Sequence, residues 1–221
     1  MTAQRFKDKV MLITGAGSGI GLATARVVSA EGGRVALVDR DDAAAKKAAA
    51  EVPCSIAIEA DVSDADQVKA AFDRTVAELG GVDIVHNNAA IDGAQDRLHE
   101  LGLDNWQRVS KVNGDGSFLV FKNAIEHMLG AGGGVIVSTA STTALVGMRN
   151  VSAYSYTKGG LISLTRTAAI EYAADNICVN AVAPTVVLTP MLEAYVAESA
   201  DPAAQRAEID AFNPMSGVVV P

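Results

Sequence analysis

The strongest constraint on the fold is a regular alternation of short apolar runs with helical segments. Each apolar run lies between charged, Gly or Pro residues and is too short for a buried helix, which is typical of a buried strand. Strands that alternate with helices pair in parallel, with helices on both faces of the sheet. We predict strands at 10–13, 35–38, 55–60, 82–85, 135–137 and 177–182, and helices at 20–31, 42–51, 63–79, 104–130 and 152–174. The sequence therefore predicts a single doubly wound α/β domain over residues 1–221.

Charge and composition exclude several classes of function. The 221 residues carry a formal charge of −8 and have no Lys/Arg cluster, so a nucleic-acid phosphate binder is not expected. No apolar run approaches the roughly 20 residues of a membrane span, and no signal-type apolar stretch precedes Val10. We predict a cytoplasmic location and no membrane or nucleic-acid partner.

Cysteine and histidine residues show no metal-binding pattern. Cys54 and Cys178 are far apart in the sequence and lack ligand spacing, so we predict that both pack in the interior as small apolar residues. His86, His99 and His127 fall on a strand end, a loop and a helix, with no common spacing. No metal site and no His-based triad is predicted.

A glycine-rich string follows the first predicted strand and opens the first helix. Residues 14–21 read Thr-Gly-Ala-Gly-Ser-Gly-Ile-Gly. Glycines at this position permit a tight turn and let backbone amides approach a pyrophosphate at the helix N-terminus. A flexible connecting loop is the alternative, but the position after a first strand favours a dinucleotide site. The predicted contacts here are Gly15, Ser18, Gly19 and Ile20.

Acidic residues follow the second and third predicted strands. Asp39 lies 18 residues after Gly21, where a carboxylate accepts hydrogen bonds from adenosine ribose hydroxyls and repels a 2′-phosphate. Arg40 is the next residue, but the loop itself carries no basic side chain, so we predict NAD rather than NADP. Asp61 and Val62 are predicted to meet the adenine, although Asp61 is alternatively a helix cap.

With that loop and Tyr154-Ser-Tyr-Thr-Lys158, the sequence resembles the short-chain dehydrogenase/reductase family, in its shorter-chained branch. The resemblance covers residues 9 to about 190. Further matching fragments, in the family's order, are Asn87-Asn-Ala-Ala90, Val112-Asn113, Ser141 and Val179-Asn-Ala-Val-Ala-Pro184. The resemblance implies a Rossmann-like fold, a homo-tetramer or dimer formed through the long helices, and further cofactor contacts from Asn88, Ala89, Ala90, Tyr154, Lys158, Pro184, Val187 and Thr189.

Ser141, Tyr154 and Lys158 form a candidate proton-transfer set. Tyr154 and Lys158 are four residues apart, so one helical turn places them on the same face. A tyrosine pKa near 10 is too high for a base at neutral pH, and we expect the Lys158 ammonium to lower it. Ser141 is chosen over Ser138 because it precedes Tyr154 by the 13 residues typical of the family. The resemblance assigns Lys158 to the nicotinamide ribose and Asn113 to a water that connects Lys158 to solvent.

The sequence departs from the family at two glycines and at its end. Ala90 and Thr185 stand where glycines are common, and a positive φ at either would cost on the order of 1 kcal/mol. Family members of this branch usually continue with another helix and a last strand. We therefore expect either an incomplete copy, which is favoured, or a protein without a seventh strand.

A flap over the nicotinamide is predicted at residues 185–215. Asp201-Pro202 is a good helix start, and Met191, Leu192, Tyr195, Phe212 and Met215 give the flap an apolar underside. Residues 90–91 and 145–148 are expected to supply the other walls of a pocket for a small or medium, mostly apolar secondary alcohol or ketone. Asp92 and Arg149 are expected to face solvent, with a role in polar selectivity as the alternative.

These features favour an NAD-dependent alcohol dehydrogenase or ketone reductase in which Tyr154 acts as the general acid/base. A 3-oxoacyl-carrier reductase is an alternative, disfavoured by Asp39 and by the lack of a basic patch for an acidic carrier. A non-catalytic NAD-binding scaffold or sensor is the alternative from another class. It is disfavoured because a binding module has no need of Ser141, Tyr154 and Lys158 together.

Overall fold

The computed structural model describes residues 4–212 and 219–221, and these build a six-stranded parallel sheet with helices on both faces. The strands are β1 (Val10–Thr14), β2 (Arg34–Asp39), β3 (Ser55–Glu59), β4 (Ile84–Asn87), β5 (Gly134–Thr139) and β6 (Ile177–Val182). Their spatial order is β3-β2-β1-β4-β5-β6, and every pairing is parallel. The predicted fold class is confirmed, because this is the doubly wound Rossmann order.

Eight α-helices connect or follow these strands within the described residues. They are α1 (Gly19–Ala30), α2 (Asp42–Glu51), α3 (Ala65–Leu79), α4 (Leu103–Val109), α5 (Gly116–Ala131), α6 (Ser152–Glu171), α7 (Pro190–Ala197) and α8 (Pro202–Phe212). Short 3₁₀ turns lie at Thr142–Ala144 and Ala173–Asp175. None of the described helices is long and apolar enough to span a bilayer.

The long helix predicted at 104–130 is interrupted. A π-helical segment, Ser110–Asp115, separates α4 from α5, and the chain remains helical through it. A π segment changes the angular position of the residues after it and is frequent at functional sites. Here the segment contains Asn113, whose buried side chain bonds to a neighbouring loop.

Two apolar clusters cover the two faces of the sheet. Helices α3, α5 and α6 pack on one face, with Phe72, Phe121 and Met128 among the buried side chains. Helices α1 and α2 pack on the other face, against β1 and β2, whose alternate residues include Ile13 and Leu37. All five β1 residues are buried, as expected for a central strand covered on both sides.

The edge strand β6 is covered on one face only in the described structure. Ile177 and Val179 are buried, whereas the residues between and after them are exposed. Cys178 is therefore exposed, and Cys54 is exposed in the turn before β3 with φ +55°. The prediction that both cysteines are interior was wrong. Cys54 lies in an exposed turn, and Cys178 lies on the side of β6 that α1 and α2 leave open, because they lie over β1 to β3.

Candidate active site

The site lies at the carboxyl ends of β1 and β4, where the strand order reverses and doubly wound sheets bind ligands. A cavity of about 270 Å³ runs from Asp39 and Asp61 to Tyr154 and Lys158. All but two of the predicted cofactor residues line it: Gly15, Ser18, Gly19, Ile20, Asp39, Arg40, Asp61, Val62, Asn88, Ala89, Ala90, Tyr154, Lys158 and Thr189. The two exceptions, Pro184 and Val187, line an adjoining cavity instead.

The glycine loop fits the close approach of a dinucleotide. Gly15 and Gly19 have φ of +64° and +52°, which disfavours any side chain. A Cβ at Gly21 would lie 2.3 Å from the Gly15 carbonyl oxygen, so helix and loop pack too closely for alanine. Ser18 precedes α1 and makes no side-chain capping bond, which leaves the first amides of the helix available to an anion.

Asp39 is held against this loop. Its Oδ2 accepts a hydrogen bond from the Gly17 amide at 2.9 Å, and its Oδ1 accepts one from the Asp41 amide at 3.1 Å. A Cβ at Gly17 would lie 2.9 Å from Asp39 Oδ2. The carboxylate is thus fixed where the adenosine end of a dinucleotide would lie in the cavity.

Asp61 lines the cavity, and the cap of α3 is a different residue. Asp64 accepts hydrogen bonds from the amides of Asp66 and Gln67. Asp61 Oδ1 accepts one from Ser63 at 2.8 Å. The alternative interpretation of Asp61 as only a helix cap does not hold.

A chain of polar side chains connects the strand ends. The His86 ring Nε2 lies 2.8 Å from Thr139 Oγ1, and that hydroxyl donates to Asn88 Oδ1 at 3.0 Å. Asn88 Nδ2 donates in turn to the carbonyls of Thr14 and Gly15. Burial lowers the pKa of His86 to about 4, with a smaller contribution from Lys158, so the imidazole is neutral at physiological pH. Sequence reasoning missed Thr14, His86 and Thr139, although polar residues at strand ends were the available signal.

Asn113 is a buried anchor. Its Oδ1 accepts from the Ile91 amide and its Nδ2 donates to the Ile91 carbonyl, both at 2.8 Å. Nδ2 also lies 3.3 Å from Thr157 Oγ1. These bonds join the π segment, the loop after β4 and helix α6. The water-holding role implied by the resemblance stays a prediction.

Lys158 is buried beneath Tyr154. Its Nζ donates to the Thr139 carbonyl at 2.6 Å and lies 5.5 Å from the centre of the Tyr154 ring. Burial lowers the pKa of Lys158 to about 8, partly offset by the negative charge of Asp92. The predicted placement on one face of one helix is confirmed, since both residues lie in α6 and line the same cavity.

The electrostatics at Tyr154 differ from the expectation. Burial raises the pKa of the Tyr154 phenol well above 10, Asp92 raises it further, and a hydrogen bond with Ser141 lowers it. The expected lowering by Lys158 is not among these effects, and desolvation is the largest of them. Tyr154 therefore carries its proton, which is the form that a general acid must have before it transfers one.

A second cavity of about 540 Å³ adjoins the first at Tyr154. It is lined by Ser141, by residues 147–151 and by flap residues that include Met191, Leu192 and Tyr195. Ser138 is fully buried instead, and its hydroxyl has no partner within the described residues, which supports the choice of Ser141. Phe212 contributes no described side chain, and Met215 lies outside the described residues.

One expectation about this cavity needs correction. Asp92 is mostly buried and lines the cavity, whereas it was expected to face solvent; Arg149 is exposed and lines the same cavity. Ala90 and Thr185 are absent from the residues with positive φ, so the backbone strain that a positive φ would bring does not arise at either position.

Aromatic residues outside the cavities have the predicted structural roles. Tyr156 is 60% exposed and its ring centre lies 4.8 Å from that of Trp106. Phe72 is buried in the core under α3. Within residues 4–212 and 219–221, no group of three or more His, Cys, Asp or Glu side chains could hold a metal ion.

Comparison with known proteins places the chain in a family context. The profile of the short chain dehydrogenase family matches residues 9–200. The chain is 40% identical over 198 residues to cis-4-hydroxycyclohexanecarboxylate dehydrogenase of Sinomonas cyclohexanicum, covering 88% of this chain and 80% of that protein.

Two solved structures are similar over almost the whole chain. An NAD⁺-bound xylitol dehydrogenase is 34% identical, with a TM-score of 0.90 over 98% of this chain and 88% of the other. The 3-ketoacyl-(acyl-carrier-protein) reductase of Brucella melitensis, complexed with NADH, is 33% identical, with a TM-score of 0.89 over 97% and 86%.

Proposed function

The chain belongs to the short chain dehydrogenase family, and from that premise we propose that it transfers a hydride between NAD(H) and a secondary alcohol or ketone. The observation that carries the proposal is the position of Tyr154. This side chain lines both cavities, so a cofactor in one and a substrate in the other would meet at its hydroxyl. Ser141 lines the second cavity with Tyr154, and its hydroxyl lowers the pKa of the Tyr154 phenol.

Tyr154 and its neighbours have separate roles in proton transfer and in orienting the substrate. In ketone reduction, the Tyr154 phenol donates its proton to the carbonyl oxygen, and Ser141 donates a hydrogen bond to the same oxygen. In alcohol oxidation, Tyr154 accepts that proton. When bound, the nicotinamide supplies or accepts the hydride. Lys158 lies beneath the Tyr154 ring, and we propose that its positive charge stabilises the phenolate that forms when the proton leaves, although burial and Asp92 set the direction of the Tyr154 pKa.

The adenosine end favours NAD over NADP. The Asp39 carboxylate faces the cavity and would accept hydrogen bonds from two ribose hydroxyls, whereas it would repel a 2′-phosphate. Arg40 also lines the cavity, but a single exposed guanidinium does not remove this repulsion. We infer that NADH binds at least about tenfold more tightly than NADPH.

The test is a titration with NADH and then with NADPH, followed by cofactor fluorescence. Asp39→Ser should bring the affinities for NADH and NADPH closer together. Asp42→Asn is the matched control, because Asp42 pairs with Lys46 outside the cavity. Equal affinities in the wild type would overturn the NAD preference. Saturable binding without NADH production from any secondary alcohol would favour the non-catalytic alternative.

A carrier-bound 3-keto substrate is the second candidate, since the chain is similar to a 3-ketoacyl-(acyl-carrier-protein) reductase. Against it, the second cavity is lined by Asp92 and Glu208 and by one basic residue, Arg149, which does not favour an acidic carrier. Comparing the reduction rates of free and carrier-bound ketones decides between the two.

We also propose that the protein is a homo-oligomer formed through α5 and α6. Apolar side chains exposed on these helices are Phe118 at 52%, Leu129 at 46%, Tyr156 at 60% and Ile170 at 81%. A contiguous apolar patch marks an interaction site, and we propose that these side chains contribute to one. Light scattering measures the assembly directly, and a monomer at micromolar concentration would refute the proposal. The cytoplasmic location stays a prediction.

A further inference from the structure

The side chain of Asp92 lies in the second cavity and has no hydrogen-bond partner among the described residues. It belongs to the loop that follows β4, is mostly buried, and lines the cavity together with Gln95, Ser141 and Tyr154. Among the residues that the structure describes, no protein group donates a hydrogen bond to its carboxylate. Two other polar side chains nearby do have partners, since Gln95 Nε2 donates to the Tyr195 carbonyl and Lys158 Nζ donates to the Thr139 carbonyl.

An unpartnered carboxylate in this position calls for an explanation. Removing a carboxylate from water is costly unless donors replace its hydration, and buried polar groups in proteins nearly always have partners. Burial disfavours the charged form of Asp92, since it raises the pKa to about 6 despite the opposing positive charge of Lys158. The cavity in front of the carboxylate is large enough for a ligand that supplies the missing donor.

Asp92 also lies close to the reacting groups. Its charge raises the pKa of Tyr154, Tyr195 and Lys158. Asp92, Tyr154 and Tyr195 line the same cavity, so the carboxylate lies near both the proton-transfer set and α7. A ligand atom that bonds to Asp92 is therefore near the carbon that bears the reacting oxygen.

We propose that Asp92 accepts a hydrogen bond from a second hydroxyl of the substrate, and that the substrate class is a diol or the corresponding hydroxy-ketone. This inference rests on the proposed function and names the substrate class for the same site. A hydroxyl is the donor that fits, because it is neutral. A substrate ammonium would be repelled by Lys158 and by the positive charge of an oxidised nicotinamide, and a substrate carboxylate would be repelled by Asp92 itself.

The experiment compares three substrates that share one reacting carbon: 2-butanol, 1,2-butanediol and 1-amino-2-butanol, each as both enantiomers. Their kcat/KM values with NAD are measured for the wild type, Asp92→Ala and Asp92→Asn. Asp96→Ala is the matched control, because it removes a carboxylate from the same loop that does not line the cavity.

The wild type should favour 1,2-butanediol over 2-butanol by roughly 10- to 100-fold, because the mono-alcohol leaves the carboxylate unpaired. Asp92→Ala should bring this ratio close to one, Asp92→Asn should keep part of it through its remaining acceptor oxygen, and Asp96→Ala should leave it unchanged. The ratio is the measure because any effect of Asp92 on Tyr154 changes both rates alike.

Each contrary outcome has a distinct meaning. A ratio near one in the wild type, or one unchanged in Asp92→Ala, overturns this inference while turnover of 2-butanol still supports the proposed function. Faster turnover of 1-amino-2-butanol than of the diol overturns the choice of a hydroxyl. No turnover of any secondary alcohol or ketone, with NAD or NADP, overturns the proposed function and this inference with it.

Discussion

The sheet and the flap that closes the substrate cavity are stabilised to very different degrees. In β1, all five residues are buried, and in β2 four of six are. The flap helix α7 has no buried residue, and Ile209 is the buried apolar side chain recorded for α8. The start of the flap is held by one isolated bridge, between Val187 and Val219. Most cofactor contacts thus come from well-packed elements, with Thr189 as a contact from the flap, whereas the substrate cavity takes a large share of its lining from a weakly packed segment.

This difference in packing corresponds to a difference between cofactor specificity and substrate specificity. Groups that must be placed accurately, such as the glycine loop, Asp39, Tyr154 and Lys158, lie on or beside buried strands and on the 20-residue helix α6. Groups that line only the second cavity, such as Leu192 and Tyr195, lie in α7. Changes at these two positions should therefore alter which alcohol is accepted while preserving cofactor binding and the fold.

The largest expected effect is on the rigid side. Tyr154→Phe removes the hydroxyl that transfers the proton and should lower kcat by about 10²- to 10⁴-fold, while NADH affinity changes little. Steady-state rates and a fluorescence titration on the same preparation measure both quantities. Tyr156→Phe is the control, because Tyr156 stacks on Trp106 away from the cavities. Near-normal turnover by Tyr154→Phe would contradict the mechanism.

The next prediction compares one leucine in each region. Leu12 is 1% exposed in β1, and Leu12→Ala should destabilise the protein by about 2–5 kcal/mol through lost burial and a cavity. Leu192 in α7 is only half-buried, so Leu192→Ala should cost less than about 1 kcal/mol. Urea denaturation of both variants gives the free energies. Equal losses would show that the flap is as strongly packed as the sheet.

Asp92 lines the cavity beneath the flap, and its titration should make the stability of the protein depend on pH. Its pKa is raised from 3.8 to about 6 in the folded protein, so the folded state binds the extra proton between pH about 4 and 6. Stability from this group is therefore lost as pH rises through that window. Asp92→Asn should gain up to about 2 kcal/mol over the wild type above pH 6 and little at pH 4.

Thermal denaturation of both proteins from pH 4 to 8 measures this difference. The expected result is a gap in Tm that widens as the pH rises. A gap that stays constant, or a variant less stable than the wild type at pH 7.5, would mean that the folded environment does not disfavour the Asp92 charge.

The smallest expected effects come from equivalent helix caps. Asp64 accepts two amide hydrogen bonds at the start of α3, and Asp201 accepts one from Ala204 at the start of α8. Asp64→Ala should lower global stability by about 1 kcal/mol, because α3 packs into the core. Asp201→Ala should increase local amide exchange in α8 with no measurable change in Tm. A similar drop in Tm for both variants would contradict the proposal that the flap is less tightly packed than the sheet and its helices.

Features encoded by neighbouring residues were predictable. The bounds of α2 and β6 match the prediction, and Asp201 caps α8 as expected. The pattern at 14–21 and the Tyr154/Lys158 spacing located most of the cofactor cavity. Local pattern was not sufficient at 104–130, where the periodicity did not show the π segment around Asn113.

The sequence by itself determined the order of strands and helices, the glycine loop and the helical face that carries Tyr154 and Lys158, because each depends on residues within one or two turns of the chain. Tertiary structure decided the burial of Asp92, the bond from Lys158 to Thr139, the partners of Asn113, the direction of the Tyr154 pKa and the exposure of Cys178. Desolvation and pairing arise only when segments distant in sequence pack together, so no local pattern contains them.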